Sequence, residues 1–534
     1  MYEEKKQKIR QKLDESQTLE KGRKGFFGIL FGRTVVVIVL LLLQIALLFV
    51  GYGLLNEYVY FLNTVLTVLG ILLVVHIINK SGDPGFKLVW IILILASPVF
   101  GALLYLFVEL QPGTKWINRK LQTMHATTKP YWTQSEVVAL NLERESNEVG
   151  NLARYVYKSG GFPTYQNSSV KYFPCGKDKF ADLLTELGAA RNFIFMEYFI
   201  VSKGYMWDTI LEVLKRKVSE GVEVRFMYDG MCSLAMMPFK YPKKLEAMGI
   251  KCHMFSPVYP ALSTHQNNRD HRKIVVIDGH TAFTGGINLA DEYIDRKERF
   301  GYWKDTAVMI KGDSVKSFTL MFLEMWNVEK DSKKENFDRY LNVPQTRLPQ
   351  PGDGFVMPYG DSPLDGELVG EQVYMDILYT AKKYVHIMTP YLIPDHDMIT
   401  ALTYAAKRGV EVIIIMPHIP DKWYAFVLAK TYYNELLDAG VQIYEFIPGF
   451  VHAKVFTSDD RKAVVGTINL DYRSLYLHFE CAAYMYKNSE IPKIEKDFQD
   501  TLRQCQQMSQ EDYKKQPLFN RIAGKVLRLF APLM

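Results

Sequence analysis

Hydrophobic positions in this chain follow two different patterns. A polar opening over 1–33, with Lys5, Lys6, Lys8, Arg10, Lys21, Arg23, Lys24 and Arg33, gives way to an uncharged run over 34–55. That run is long enough to cross a bilayer core as a helix, and no small-residue cleavage site follows it, so it reads as a retained anchor. Two more apolar runs, 60–78 and 88–108, flank the loop Lys80-Ser-Gly-Asp-Pro-Gly-Phe-Lys87. The last contains Ser97-Pro98 and Gly101, which predict a kink or a re-entrant path. The pattern predicts a transmembrane region over 34–110 behind a basic tail.

From about residue 130 the pattern becomes short apolar runs alternating with helical periodicity, and it occurs twice. Ala190-Arg-Asn-Phe-Ile-Phe-Met-Glu-Tyr-Phe199 answers Ala381-Lys-Lys-Tyr-Val-His-Ile-Met-Thr-Pro390, and Gly221-Val-Glu-Val-Arg-Phe-Met227 answers Gly409-Val-Glu-Val-Ile-Ile-Ile415. Strands separated by helical stretches imply α/β units with largely buried sheets. The Pro- and Gly-rich region 345–365 reads as the linker, giving halves at 130–345 and 346–510 in a pseudo-twofold pair. The end, 511–534, places Leu518, Ile522, Val526, Leu529, Phe530 and Leu533 at helical spacing, with Arg521, Lys525 and Arg528 between them. Such a helix either lies on anionic lipid or packs on the domain.

Composition changes this picture little. A chain of 534 residues exceeds one core. A net charge of +6 is too mild for a nucleic-acid binder and suits work beside anionic lipid. Cys175, Cys232, Cys252, Cys481 and Cys505 are scattered and odd in number, which argues against a disulfide framework and a zinc site.

The candidate chemistry lies in the repeat. His271-Arg-Lys273-Ile-Val-Val-Ile-Asp278 leads to Gly285-Gly286-Ile-Asn288, and His452-Ala-Lys454-Val-Phe-Thr-Ser-Asp459 leads to Gly466-Thr467-Ile-Asn469. Residues two apart on a strand share a face, so each histidine sits beside its lysine. Brought together, the copies offer two imidazoles, two ammonium groups and two amides, a phosphate site that needs no metal, nucleotide or other cofactor. One histidine attacks, the other protonates the leaving group, and the lysines with Asn288 and Asn469 hold the phosphoryl oxygens. Asp305 and Glu480, at equivalent places downstream, are the candidates to fix the histidine tautomers. Asp278 and Asp459 complete each motif, although the end of a strand suits a turn or a structural role equally.

These motifs resemble the signature of the phospholipase D superfamily over about residues 150–500. Asp83-Pro-Gly-Phe-Lys87-Leu-Val-Trp90, Asn469-Leu-Asp-Tyr-Arg-Ser474 and the closing Arg528-Leu-Phe-Ala-Pro-Leu-Met534 are similar to bacterial cardiolipin synthases. The resemblance implies an α/β/α sandwich for each half. It also implies transfer of a phosphatidyl group between two phosphatidylglycerol molecules, donor and acceptor, with release of glycerol. It assigns His271, Lys273 and Asn288 to one half-site and His452, Lys454 and Asn469 to the other, with His271 as nucleophile. Thr467 replaces a serine of many relatives, and His478 stands where an asparagine is expected. The same pocket would serve a phospholipase D hydrolase or a phosphatidylserine synthase. A nuclease lacks support from the charge pattern, and complete half-sites weigh against an inactive lipid-binding scaffold.

Membrane orientation reads both ways. The basic tail belongs in the cytoplasm, so three crossings would place the catalytic halves outside. Lys115, Arg119 and Lys120 after the last apolar run argue the opposite, and Pro98 permits a re-entrant segment.

Overall fold

The computed structural model describes residues 59–109, 112–258, 267–329, 335–343 and 352–533, with four single residues between 42 and 49. The basic tail and almost all of the run 34–55 lie outside them.

Three apolar helices open the described chain: α1 (Val59–Asn79), α2 (Pro84–Ala96) and α3 (Pro98–Glu109). The expected span 88–108 is instead a hairpin. Asp83 caps α2 by accepting from the Phe86 N–H, and Ser97 breaks the helix ahead of Pro98, which cannot donate to it. Gly101 lets the two arms close, because a Cβ there would sit 2.6 Å from the Leu93 carbonyl oxygen. Each arm covers roughly 20 Å, against about 30 Å of bilayer core. Lys80, just past α1, pairs with Glu109 at the end of α3 at 2.8 Å, so the hairpin returns to the level it left. Among the described residues no helix is long and apolar enough to cross a membrane.

The catalytic region holds two sheets of matching topology. The first half supplies β1 (Ser168–Phe173), β2 (Phe193–Tyr198), β3 (Glu223–Asp229), β4 (Lys251–Phe255), β5 (Arg269–Asp270), β6 (Ile274–Ile277), β7 (Thr281–Gly285), β8 (Tyr302–Lys304) and β9 (Ala307–Gly312). The second supplies β10 (Phe355–Asp361), β11 (Tyr384–Met388), β12 (Leu392–Ile393), β13 (Glu411–Pro417), β14 (Gln442–Phe446), β15 (Gly449–Val451), β16 (Val455–Ser458), β17 (Lys462–Gly466), β18 (Leu470–Asp471), β19 (His478–Tyr486) and β20 (Cys505–Gln507). Spatial order β1-β9-β7-β6-β2-β3-β4 in one sheet matches β10-β19-β17-β16-β11-β13-β14 in the other. The repeated apolar runs form the parallel pairs β2·β3 and β11·β13.

All six residues of β2 are buried, as a strand covered on both faces requires. Ile194 and Met196 face an outer core with Leu183, Leu187, Ile210 and Leu214, while Phe195 faces inward. Val385, Ile387, Val412 and Ile414 do the same in the second half, against Tyr374, Leu378 and Leu436. Between the sheets Phe195, Ile274, Val276 and Val308 meet Ile413, Ile415, Val455 and Val465, with helices Val315–Glu329 and Ile491–Leu502 wedged among them. The inner helical layer of the two sandwiches is therefore common to both.

Two boundaries differ from expectation. Residues 355–361 of the expected linker form β10, whose edge position tolerates Pro358. Helices Glu136–Glu145 and Asn147–Lys158 precede the first sheet but bury Leu142, Val149, Leu152 and Val156 in the second half's outer core.

Candidate active site

Each histidine motif lies between two strands that belong to different sheets. β5 pairs with β19 of the other half, and β15 pairs with β8 of the other half. The ladders end on the histidines themselves: the His271 N–H donates to the Phe479 carbonyl at 2.9 Å, and the His452 N–H to the Lys304 carbonyl at 2.7 Å. Both His-x-Lys segments are extended but precede β6 and β16 rather than lying within them.

This exchange sets the partners of the imidazoles. His271 Nδ1 lies 2.9 and 3.0 Å from the two oxygens of Glu480, which belongs to the second half. His452 Nδ1 lies 2.7 Å from Oδ2 of Asp305, which belongs to the first. With Nδ1 as the protonated nitrogen, each Nε2 carries a free lone pair. The carboxylates are fixed in turn. Glu480 accepts a short hydrogen bond from the Thr467 hydroxyl, and Asp305 accepts from the Thr306 N–H at 2.8 Å. Gly286 is required by the second arrangement, since a Cβ there would lie 2.1 Å from Asp305 Oδ1.

Lys273 and Lys454 curl back to donate to the carbonyls of their own histidines, Lys273 at 2.5 Å. Burial pushes Lys273 down to about 8 and Lys454 down to about 7. It also holds both imidazoles well below the usual histidine value, helped by the charges of Lys273, Lys454 and Lys422. Burial lifts Asp305 to about 7 against the pull of Lys454. The resting pocket thus holds neutral imidazoles and easily neutralised lysines, and an entering phosphate would restore charge to both kinds of group.

The remaining expected residues divide. Asn288 is committed to structure: its Oδ1 accepts from the Ile200 N–H at 3.0 Å and its Nδ2 donates to Tyr293 at 2.8 Å. Asn469 is buried with an unpartnered Oδ1. Asp278 and Asp459 are not brought to the imidazoles. Asp278 stands in the left-handed region at the far end of β6 and accepts from the N–H groups of Arg191, Asn192 and Phe193. Asp459 does the same for Lys382, Lys383 and Tyr384. Each clamps the start of the neighbouring central strand.

Several neighbours carry no motif signal. Phe199 packs edge-on to His271 with centroids 4.8 Å apart, and Tyr293 does so to His452 at 5.6 Å. Arg272, inside the first motif, is buried on Glu197 at 2.6 Å. Lys179, held down to about 7 by burial, donates to the Ile287 carbonyl. Apart from Arg272, only the folded topology brings these residues near. His478 places Nδ1 3.6 Å from Glu480. Among the described residues, His271, His478 and Glu480 form the one group whose donor atoms could share a metal ion. Glu480 already serves His271 and Thr467, and the lysine charges beside it oppose a cation.

Comparison with known proteins identifies relatives of this chain. The family model "Cardiolipin synthase, PLD-like domain" matches residues 183–326 and 374–502, and "Phospholipase_D-nuclease N-terminal" matches 68–109. An uncharacterized Streptococcus mutans protein is 50% identical over 461 residues, 86% of this chain and 99% of that one. A cardiolipin synthase of Alkalihalophilus pseudofirmus is 34% identical over 495 residues, 92% of this chain and 98% of its own length. Among solved structures, phosphatidylserine synthase from Haemophilus influenzae superposes with a TM-score of 0.53 at 14% identity, covering 72% of this chain and 98% of that one, a likeness of fold.

Proposed function

The chain belongs to the phospholipase D-like cardiolipin synthase family, a family of phosphatidyltransferases, and on that premise we propose how its half-sites turn two phosphatidylglycerols into cardiolipin and glycerol. His271 Nε2 attacks the phosphorus of the donor, and the bond from phosphorus to the glycerol headgroup oxygen breaks. His452, reprotonated as the phosphate charge enters and steadied by Asp305, gives its proton to that oxygen. The free hydroxyl of a second phosphatidylglycerol then loses its proton to His452 and attacks the phosphohistidine, releasing His271. Lys273, Lys454 and Asn469 turn toward the phosphoryl oxygens, where negative charge builds. Asn288 holds the neighbouring backbone in place, and Asp278 and Asp459 hold the strands.

The reciprocal pairing of each histidine with the other half's carboxylate carries this reading. It gives two imidazoles of defined tautomer and separate environments, as a two-step transfer requires. The apolar N-terminal helices hold the protein to the cell membrane.

Purified protein incubated with phosphatidylglycerol alone should yield cardiolipin and glycerol in equal amounts, read by mass spectrometry. Phosphatidic acid as sole product would make the acceptor water and overturn the synthase reading. Dependence on added serine would point to phosphatidylserine synthesis.

A further inference from the structure

The C-terminal helix Leu518–Arg528 was open to two readings, and the structure shows features of both. One side packs on the helix Trp423–Asp438: Gly524 is buried, and a Cβ there would lie 2.7 Å from Thr431 and 2.9 Å from the Val427 carbonyl. Arg528 donates to the Thr431 carbonyl at 3.3 Å and lies 4.3 Å from the ring of Tyr432. A helix packed in this way ordinarily turns polar residues outward. This one does not. Leu518 is 68% exposed, Phe519 70%, Ile522 55% and Val526 50%, and Leu529, Phe530 and Leu533 continue the strip.

The strip has neighbours at both ends. At its start Phe519 stacks on Trp423, with centroids 6.0 Å apart and planes 19° apart, and Tyr424 lies exposed beside them. Trp423 follows Lys422, whose ammonium lies 5.2 Å from the ring of Tyr391; the residues after Tyr391, β12, pair with β18 directly after Asn469, so this end lies on the half-site side of the second half. At the other end Ala531–Leu533 reaches the apolar N-terminal hairpin, and a Cβ on Gly85 would lie 3.0 Å from Pro532. Phe86 is seated edge-on between Tyr472 and Tyr476, at 5.7 and 5.5 Å, which locks the hairpin to the same side of the second half. From residue 514 to the end the chain carries Lys514, Lys515, Arg521, Lys525 and Arg528 and no acidic residue.

We propose that this strip, with Trp423 and Tyr424, is a second membrane contact that lies on an anionic bilayer and holds the pocket entrance at headgroup level. An apolar face whose own segment carries only cations suits anionic lipid, with Arg528 drawn to a carboxylate, Glu435 at 3.4 Å. Trp and Tyr at its edge suit the headgroup zone. Continuity with the hairpin gives both contacts one plane. The substrate arrives from that plane as a lipid whose phosphate lies at headgroup depth, so the contact would align pocket and phosphate.

The test uses full-length protein, with half-exposed Cys175 and Cys505 replaced by Ala, reconstituted in phosphatidylglycerol nanodiscs. Nitroxides are placed singly through Phe519→Cys, Ile522→Cys, Val526→Cys and Lys514→Cys. Labels at 519, 522 and 526 should meet oxygen in preference to a nickel chelate, and the label at 514 the reverse. Nickel access at all four sites overturns the proposal, and so does dipolar broadening between chains, which would make a second copy the occupant. These readouts need no activity, so they stand apart from the synthase reading. A kinetic arm rests on that reading. The triple variant Leu518→Ser, Phe519→Ser, Ile522→Ser should lose about tenfold on phosphatidylglycerol vesicles and several-fold less on detergent micelles. Equal loss on both would show a purely structural role and also overturn the proposal.

Discussion

Asp305 and Glu480 do the same work with side chains of different length, and their surroundings are cut to fit. The shorter carboxylate closes on a bare Gly286, whereas the longer one is tied by Thr467. Glu480→Gln keeps the shape but can present its amide N–H to Nδ1, which favours the wrong tautomer. The kcat should fall by about 10²–10⁴ with little change in stability. Asp278→Asn should do the opposite, losing about 1–3 kcal/mol in denaturant titration while the folded enzyme keeps a near-normal kcat. The pH profile follows from the same residues. Asp305 is needed as a carboxylate, which is lost as pH falls below about 7, and Lys454 and Lys273 are needed as ammonium groups, which are lost as pH rises past about 7 and about 8. The kcat/KM should therefore show a narrow maximum between about 7 and 8, and only the double change Lys273→Arg with Lys454→Arg should carry the alkaline limb upward. The histidines, lysines and both carboxylates were legible in the sequence because the repeat displays them twice. Which carboxylate serves which histidine was not, since that depends on strands β5 and β15 crossing to the other sheet. Asp278 and Asp459 were open between a catalytic and a structural role, and each lies where the strand after its lysine ends, clamping the neighbouring strand.

At the level of elements, local patterns predicted the sheets better than the apolar segments. Continuous apolar runs such as β2 and β11 announced buried parallel strands, and the structure has them. Helices 136–158 gave no sign of crossing to the second half, because an amphipathic face does not name its partner. The N-terminal hairpin was foreshadowed by Pro98 and Gly101, and its geometry bears on orientation. Since Lys80 and Glu109 meet, the chain leaves the hairpin toward the catalytic halves at the level where α1 ends. The positive-inside rule, applied to Lys115, Arg119 and Lys120 just past α3, predicts that the catalytic region faces the cytoplasm. In right-side-out vesicles the catalytic region should resist added protease, and in inverted vesicles it should be digested. Digestion from outside would place the active site on the other face.

For the molecule as a whole, the proposed mechanism has the lysines supply the positive charge that a divalent ion provides in many phosphoryl-transfer enzymes. Activity in detergent micelles should survive thorough chelation, and loss restored by one specific metal would overturn the proposed mechanism. The division of labour between the halves is testable by rapid quench with labelled phosphatidylglycerol and peptide mapping. His271→Ala should abolish the covalent adduct, while His452→Ala should slow its formation and its turnover, leaving it trappable on His271. Label on the His452 peptide would reverse the roles. The crossed pairing also governs when the enzyme becomes active during its own synthesis. His271 waits 209 residues for Glu480, and Asp305 waits 147 for His452. At 5–20 residues per second, the longer wait lasts on the order of ten seconds or more. A nascent chain thus carries a histidine without its tautomer partner, before it can act on the lipid it will later consume. A ribosome that stalls, or a message that ends early, releases a fragment that cannot cut phospholipid. The surrounding membrane is spared until β19 has been made.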